Sequence, residues 1–277
     1  MVGYQQLEDK ILSIFTDHIG KNINLPSSLK KQLRLSSTKI SAVDPSISKK
    51  HNSKTDLLVI FDDGNKLKIS IKKDNAHYYG NWYTHQRIKE EFGKPALTKL
   101  IEKTTEWANY WIKQDSSNFF LGVSINFGER SGKTFLEFNE IFTPSDIKSI
   151  VQGYDLSLDT SANALLQTSG SINSIDEIIA KLVLFEDSLL KTLFRDIKII
   201  FRPINPMTEG SNRGKQIYTK FVPHKKLSEK ETISTKDALN NIGTFKKVDI
   251  KKEYKLNHNR LIADLDETYN VKINVKT

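Results

Sequence analysis

The sequence predicts a mixed α/β (α+β) fold, with a core over residues 1–150 and a basic, loop-rich region over residues 151–277. Three observations lead to this. Two apolar runs of strand character flank the turn residues Asp62-Asp63-Gly64-Asn65. Other stretches repeat their apolar residues at helical spacing. At 277 residues and 38% hydrophobic composition, the chain is long enough to bury a sizeable core.

In chain order, Tyr4 to Asn22 places Leu7, Ile11, Ile14, Phe15, His18 and Ile19 at amphipathic helical spacing. Ser27 or Ser28 is suited to cap a second short helix through Leu35, and the Ser-, Lys- and Asn-rich stretch from Ser36 to Lys54 reads as a loop. Strands are expected at Leu57–Phe61 and Lys66–Lys72. A long helix follows Pro95, carrying Leu97, Leu100, Ile101, Trp107, Ala108 and Trp111 on or near one face. Phe119–Phe127 and Thr134–Phe138 read as a second hairpin, and Thr143 as the cap of a helix from Pro144 to about Gln152. Further on, a helix is expected near Ile175 to Phe194 and a strand at Ile197–Phe201; beyond Arg202 the chain reads as lysine-rich loops.

The formal net charge is +9, and basic residues outnumber acidic ones by eight between Arg202 and Arg260. A basic surface attracts polyanions, although lysine-rich coding produces the same balance without any such partner. With 0 cysteines there is no thiol nucleophile, zinc-thiolate site or disulfide framework. No apolar run of membrane-spanning length and no secretory leader is visible, so a cytoplasmic protein without a membrane partner is expected.

Two registers are open to the first hairpin. A two-residue Asp63-Gly64 turn sets Leu57, Val59 and Phe61 against Ser70, Lys68 and Lys66. A three-residue loop, Asp62-Asp63-Gly64 with Gly64 left-handed, instead puts those residues on one face with Leu67, Ile69 and Ile71. Matching apolar to apolar selects the second, because a one-residue slip reverses every side chain. Asp56 then lies opposite Ser70, on the face of Lys72. A carboxylate and a strand carbonyl suit a divalent cation that polarises a phosphodiester, and a neighbouring lysine suits the water or the developing charge.

The segment Lys54-Thr55-Asp56, followed by Ile69-Ser70-Ile71-Lys72-Lys73, resembles the PD-(D/E)xK nuclease motif of Type II restriction endonucleases, over about Lys54 to Arg87. Asp56 matches that family's first Asp and Lys72 its Lys, while Ser70 stands where most members carry Asp or Glu and Thr55 where some carry Pro. The Ser-x-Lys form most resembles the HaeIII-like branch. The resemblance implies a restriction-endonuclease-like core, with a mixed central sheet flanked by helices, over residues 1–150 and a DNA-recognition region after it. It also implies cleavage of double-stranded DNA at a short sequence, with Mg2+ (Mn2+ as a substitute) held by Asp56 and the Ile71 carbonyl. Lys72 would assist the water and Ser70 position it, while Glu8 on the first helix would supply the missing carboxylate. A homodimer is the default for cutting both strands of a palindrome.

After the second strand, Lys73, Asn75, His77, Tyr78, Asn81, His85, Gln86 and Arg87 are candidate DNA contacts, with Trp82 and Tyr83 read as packing groups. Arg130, Asn212, Arg213 and Lys215 are further candidates on two Gly-containing loops. The run Gly128–Thr134 lacks both the glycine spacing and the following helix of a phosphate loop, and Asn257–Arg260 lacks partner histidines for a ββα-metal site. Two other readings stay open: a nuclease for branched or modified DNA, and a non-catalytic DNA-binding protein.

Overall fold

The structure is a computed structural model that describes residues 4–50, 52–74, 78–79, 82–130, 132–168, 171–210 and 215–276. Helices α1 (Tyr4–Thr16) and α2 (Ser27–Gln32) precede strands β1 (Ile40–Asp44), β2 (Leu57–Phe61) and β3 (Lys66–Lys73). Then come α3 (His85–Trp111), β4 (Gly122–Gly128), β5 (Phe135–Glu137), α4 (Asp146–Val151), β6 (Ala164–Thr168), α5 (Ile175–Lys181), β7 (Leu182–Leu184) and α6 (Asp187–Asp196). The chain closes with β8 (Lys198–Pro203), β9 (Thr219–Pro223), β10 (Glu231–Ile233), α7 (Lys236–Ile242), β11 (Gly243–Lys247), α8 (His258–Tyr269) and β12 (Val271–Ile273). Among the described residues no helix is long and apolar enough to cross a membrane.

Two units form, each from two separate stretches: residues 1–79 with 144–196, and residues 80–143 with 197–277. This partition cuts across a single boundary near residue 150, because the chain passes between the units three times.

The first unit is built on a mixed sheet of order β1-β2-β3-β6-β7. β1, β2 and β3 are antiparallel neighbours, β6 runs parallel to β3, and β7 is antiparallel to β6. Leu7, Ile11 and Phe15, four residues apart on α1, pack with Leu57, Val59, Phe61, Leu67, Ile69 and Ile71. Ile178 and Ile179 of α5 join the same core. The opposite face of the hairpin is covered near Lys68, whose ammonium donates to the Leu156 and Leu158 carbonyls at 3.0 and 2.9 Å. Lys66 pairs beside it with Asp159 at 2.8 Å.

The β2–β3 ladder pairs Leu57 with Ile69, Val59 with Leu67 and Ile60 with Lys66. Phe61 N–H donates to Asn65 across the loop Asp62-Asp63-Gly64, and Gly64 has φ +79°. The three-residue loop is therefore the one adopted; a β-carbon at Gly64 would make this left-handed conformation costly.

The second unit holds an entirely antiparallel sheet of order β11-β9-β4-β8-β5, with α3 packed on it through β11, β9 and β4. Its net charge is the larger, with 25 basic against 17 acidic residues, compared with 17 against 16 in the first unit. α3 is kinked at Gly93 (φ +82°, ψ 169°), two residues before Pro95; the left-handed φ falls on the one residue type that adopts it without a β-carbon penalty.

Several expectations are corrected. β4 and β5 do not pair as a hairpin, because β8 lies between them and hydrogen-bonds to both. The single helix expected from Ile175 to Phe194 is two helices separated by β7. The loop expected from Ser36 to Lys54 contains β1, an edge strand with only one fully buried residue in five. The region beyond Arg202 carries four strands after β8 and two helices, whose short length and lysine content hide their periodicity.

Candidate active site

Asp56 sits where the hairpin ladder breaks. Its own N–H turns to the Ile69 carbonyl at 2.8 Å, so the register of β2 does not continue past Leu57. The amide of Ile71 then lacks a ladder acceptor, and the Asp56 carboxylate takes that place, accepting its N–H at 2.6 Å. The strand end thus fixes the carboxylate directly. Ser70 Oγ lies 3.5 Å from the same oxygen, and Lys72 Nζ 3.6 Å from it. Asp56 and Lys72 side chains keep 17% and 19% exposure, enough to be reached from solvent. Ser70, at 2%, is not.

Helix α1 supplies two further groups to this strand end. Its Leu7–Ile11–Phe15 stripe faces the core, which leaves Tyr4 and Glu8, one turn apart, at the edge of that stripe near β3. Tyr4 hydroxyl donates to the Ile71 carbonyl at 2.6 Å, with the Glu8 carboxyl beside it on the same helix edge. Lys72 Nζ donates to the same carbonyl at 3.0 Å. Burial pushes the Glu8 carboxyl above the usual glutamate range, and the Asp56 charge pushes it the same way, against the opposing pull of Tyr4 and Lys72. Asp56, Lys72 and the Ile71 carbonyl meet at this strand end, and Glu8 lies near enough to feel the charges of Asp56 and Lys72. Glu8 and Asp56 repel one another with one ammonium to offset them, and oxygen donors of this kind fit a hard divalent cation. Among the described residues no third His, Cys, Asp or Glu joins such a group.

The candidate DNA contacts fare differently. Asn75, His77, Asn81, Asn212 and Arg213 lie outside the described residues. Lys73 ends β3 half-buried, and Tyr78 is exposed at 42%. Gln86 is exposed and donates to Glu90 at 2.7 Å. Arg130 is exposed, with its Nε on Thr134 at 2.9 Å. Lys215 and Arg202 both lie over the Trp82 ring, at 4.7 and 4.9 Å from its centre. Trp82 is half-buried and Tyr83 buried, as packing groups.

Two of the candidates are corrected outright. Arg87 is 7% exposed: its Nε pairs with Glu91 at 2.6 Å, and its guanidinium stacks 4.1 Å above the Tyr83 ring. It is a buried ion pair stacked on a ring, withdrawn from solvent. His85 is fully buried, its Nε2 2.7 Å from the Ile217 carbonyl and its ring edge-on to Tyr218. Both follow Thr84, which caps α3, so a segment expected to be an exposed loop is the first turn of a helix whose inner face they occupy.

Burial pushes the His85 imidazole down to about 4, only partly offset by its bond to Ile217. The unfolded chain takes up this proton near the ordinary value of 6.5, and the folded chain does so only near 4. Stability is consequently undiminished above that window and falls as pH drops through it, by on the order of 3 kcal/mol from this one group. Denaturant midpoints measured from pH 7.5 to 4 should show this acid loss, and His85→Gln, which can still donate to Ile217, should flatten it. A variant slope equal to that of the wild type would place the titrating group elsewhere. Buried His258 is depressed in the same direction by burial and adds a residual slope.

Tyr4 was not foreseen from the sequence. The available signal was its i,i+4 spacing to Glu8 beside the apolar stripe of α1, which marks a shared helix edge but not its neighbour across the sheet. No family model, no curated protein and no solved structure matches this chain.

Proposed function

We propose that this protein is a Mg2+-dependent endonuclease of duplex DNA, of the Type II restriction kind, working at Asp56, Glu8 and Lys72. The observation that carries the reading is the meeting of Asp56 and Lys72 at Ile71, with Glu8 on α1 near enough to feel both charges. Glu8 and Asp56 would hold the cation, with the Ile71 carbonyl as a third oxygen; Mn2+ fits the same donors. When bound, it supplies Lewis-acid polarisation of the scissile phosphate and a more acidic water.

The chain's own groups do the rest. Asp56 is held rigid by the Ile71 N–H, so its position follows β3 and costs little to preorganise. Lys72 remains anchored by Asp56 and directs its ammonium at the attacking water or at the charge that accumulates on the phosphate. Ser70 supports the Asp56 carboxylate from beneath, its burial leaving it no route to the substrate. Glu8, from α1, stands in for the carboxylate absent at Ser70. The excess positive charge of the second unit supports binding of phosphates. Two copies of the chain acting in the cytoplasm would cut the two strands of a palindromic site.

Incubating the protein with unmodified phage DNA tests the reading. Discrete fragments with Mg2+ or Mn2+, and intact DNA in EDTA, are expected. Cleavage confined to branched or modified substrates would move the activity to the second nuclease class. Retardation of DNA that persists in EDTA, with no cleavage under either cation, would instead make Ser70 the mark of a non-catalytic DNA-binding protein.

A further inference from the structure

We infer that Tyr4 is a latch on the cation site: its hydroxyl occupies the carbonyl oxygen of Ile71 and must leave that oxygen for a divalent cation to be held there. The inference rests on the reading of Glu8 and Asp56 as the cation's carboxylates.

A carbonyl oxygen offers two lone pairs. Both are taken at Ile71, one by the Tyr4 hydroxyl at 2.6 Å and one by the Lys72 ammonium at 3.0 Å. A cation and a hydrogen donor compete for the same lone pair, since each presents positive charge to it. Of the two occupants, Lys72 is tied to Asp56 at 3.6 Å and is the group the chemistry requires nearby. Tyr4 is the neutral one, at the first turn of α1 and 40% exposed.

It also has somewhere to go. Its single phenolic proton now points at Ile71, while the Glu8 carboxylate lies within its hydrogen-bonding reach. Rotation off Ile71 leaves the carbonyl open, and the hydrogen bond made there is given up when the cation is held. Tyr4 is thus a positioning residue that never touches substrate. Its hydroxyl lies 3.5 Å from Lys72 Nζ, so its departure also removes a contact that holds the lysine back on the strand.

Calorimetric titration of the full chain with MgCl2, in the absence of DNA, distinguishes the alternatives. Removing the competing hydrogen bond with Tyr4→Phe should tighten Mg2+ binding about five-fold, the worth of one ordinary net hydrogen bond. The rise in melting temperature on adding Mg2+ should be larger for Tyr4→Phe than for wild type, and Tyr4→Leu should act in the same direction. Asp56→Asn should abolish binding in every background. Equal or weaker affinity in Tyr4→Phe and Tyr4→Leu, with the dependence on Asp56 intact, overturns the latch alone. Wild-type protein that binds no Mg2+, or binding indifferent to Asp56→Asn, removes the cation site itself and the latch with it.

Discussion

Asp56→Asn is expected to slow DNA cleavage by about 1000-fold or more, since a positioned divalent cation contributes several kcal/mol to phosphodiester hydrolysis. Asparagine is the informative choice. Its carbonyl oxygen still accepts the Ile71 N–H that the native carboxylate receives at 2.6 Å, so the strand end keeps its shape. The negative charge disappears, however, and with it both the cation ligand and the ionic anchor of Lys72. Alanine would confuse the two losses by leaving the Ile71 amide without an acceptor in a largely buried site. Single-turnover cleavage of a labelled duplex, beside a thermal melt and a DNA-retardation assay in EDTA, separates chemistry from folding and binding. Cleavage within ten-fold of wild type would put the active centre somewhere other than this hairpin.

Arg87→Met is expected to destabilise the second unit by roughly 3–5 kcal/mol, because it strands the Glu91 charge in the core. Glu91 has a side chain only 3% exposed, and one of its oxygens already lacks a partner among the described residues. The stack on Tyr83 is lost as well. The double variant Arg87→Met/Glu91→Leu should recover much of the loss, since it removes the uncompensated charge together with its partner. Equilibrium denaturation of the wild type, both single variants and the double variant measures that coupling. An Arg87→Met protein as stable as wild type but weakened on DNA would restore Arg87 as a substrate contact.

Local pattern made the hairpin legible down to its register. Alternating Leu57, Val59, Phe61 against Leu67, Ile69, Ile71 admits one arrangement that buries all six, and Gly64 supplies the turn that arrangement needs. That register also brought Asp56 and Lys72 together, although the ladder break at Asp56, which aims the carboxylate, carries no mark in the sequence. Glu8 was readable as a helix residue, but its nearness to Asp56 is a tertiary fact about how α1 crosses the sheet. The failures share a cause. His85 and Arg87 are polar residues that satisfy themselves within the core, and polarity alone pointed them outward. β8 enters between β4 and β5 from about sixty residues away along the chain, and no local periodicity encodes a pairing at that separation.

The parallel pairing of β3 with β6 means that the strand bearing Ser70 and Lys72 meets its neighbour only after the whole stretch 80–143 has been synthesised. Until residue 168 leaves the ribosome, Ile69–Lys73 presents a bare row of amides and carbonyls, the kind of edge on which chains stick to one another. A fragment cut at residue 150 inherits that defect permanently: it holds Glu8, Asp56 and Lys72, yet it lacks the strand that secures them. A chain ended at residue 150 is therefore expected to aggregate and not to fold as a smaller version of the protein.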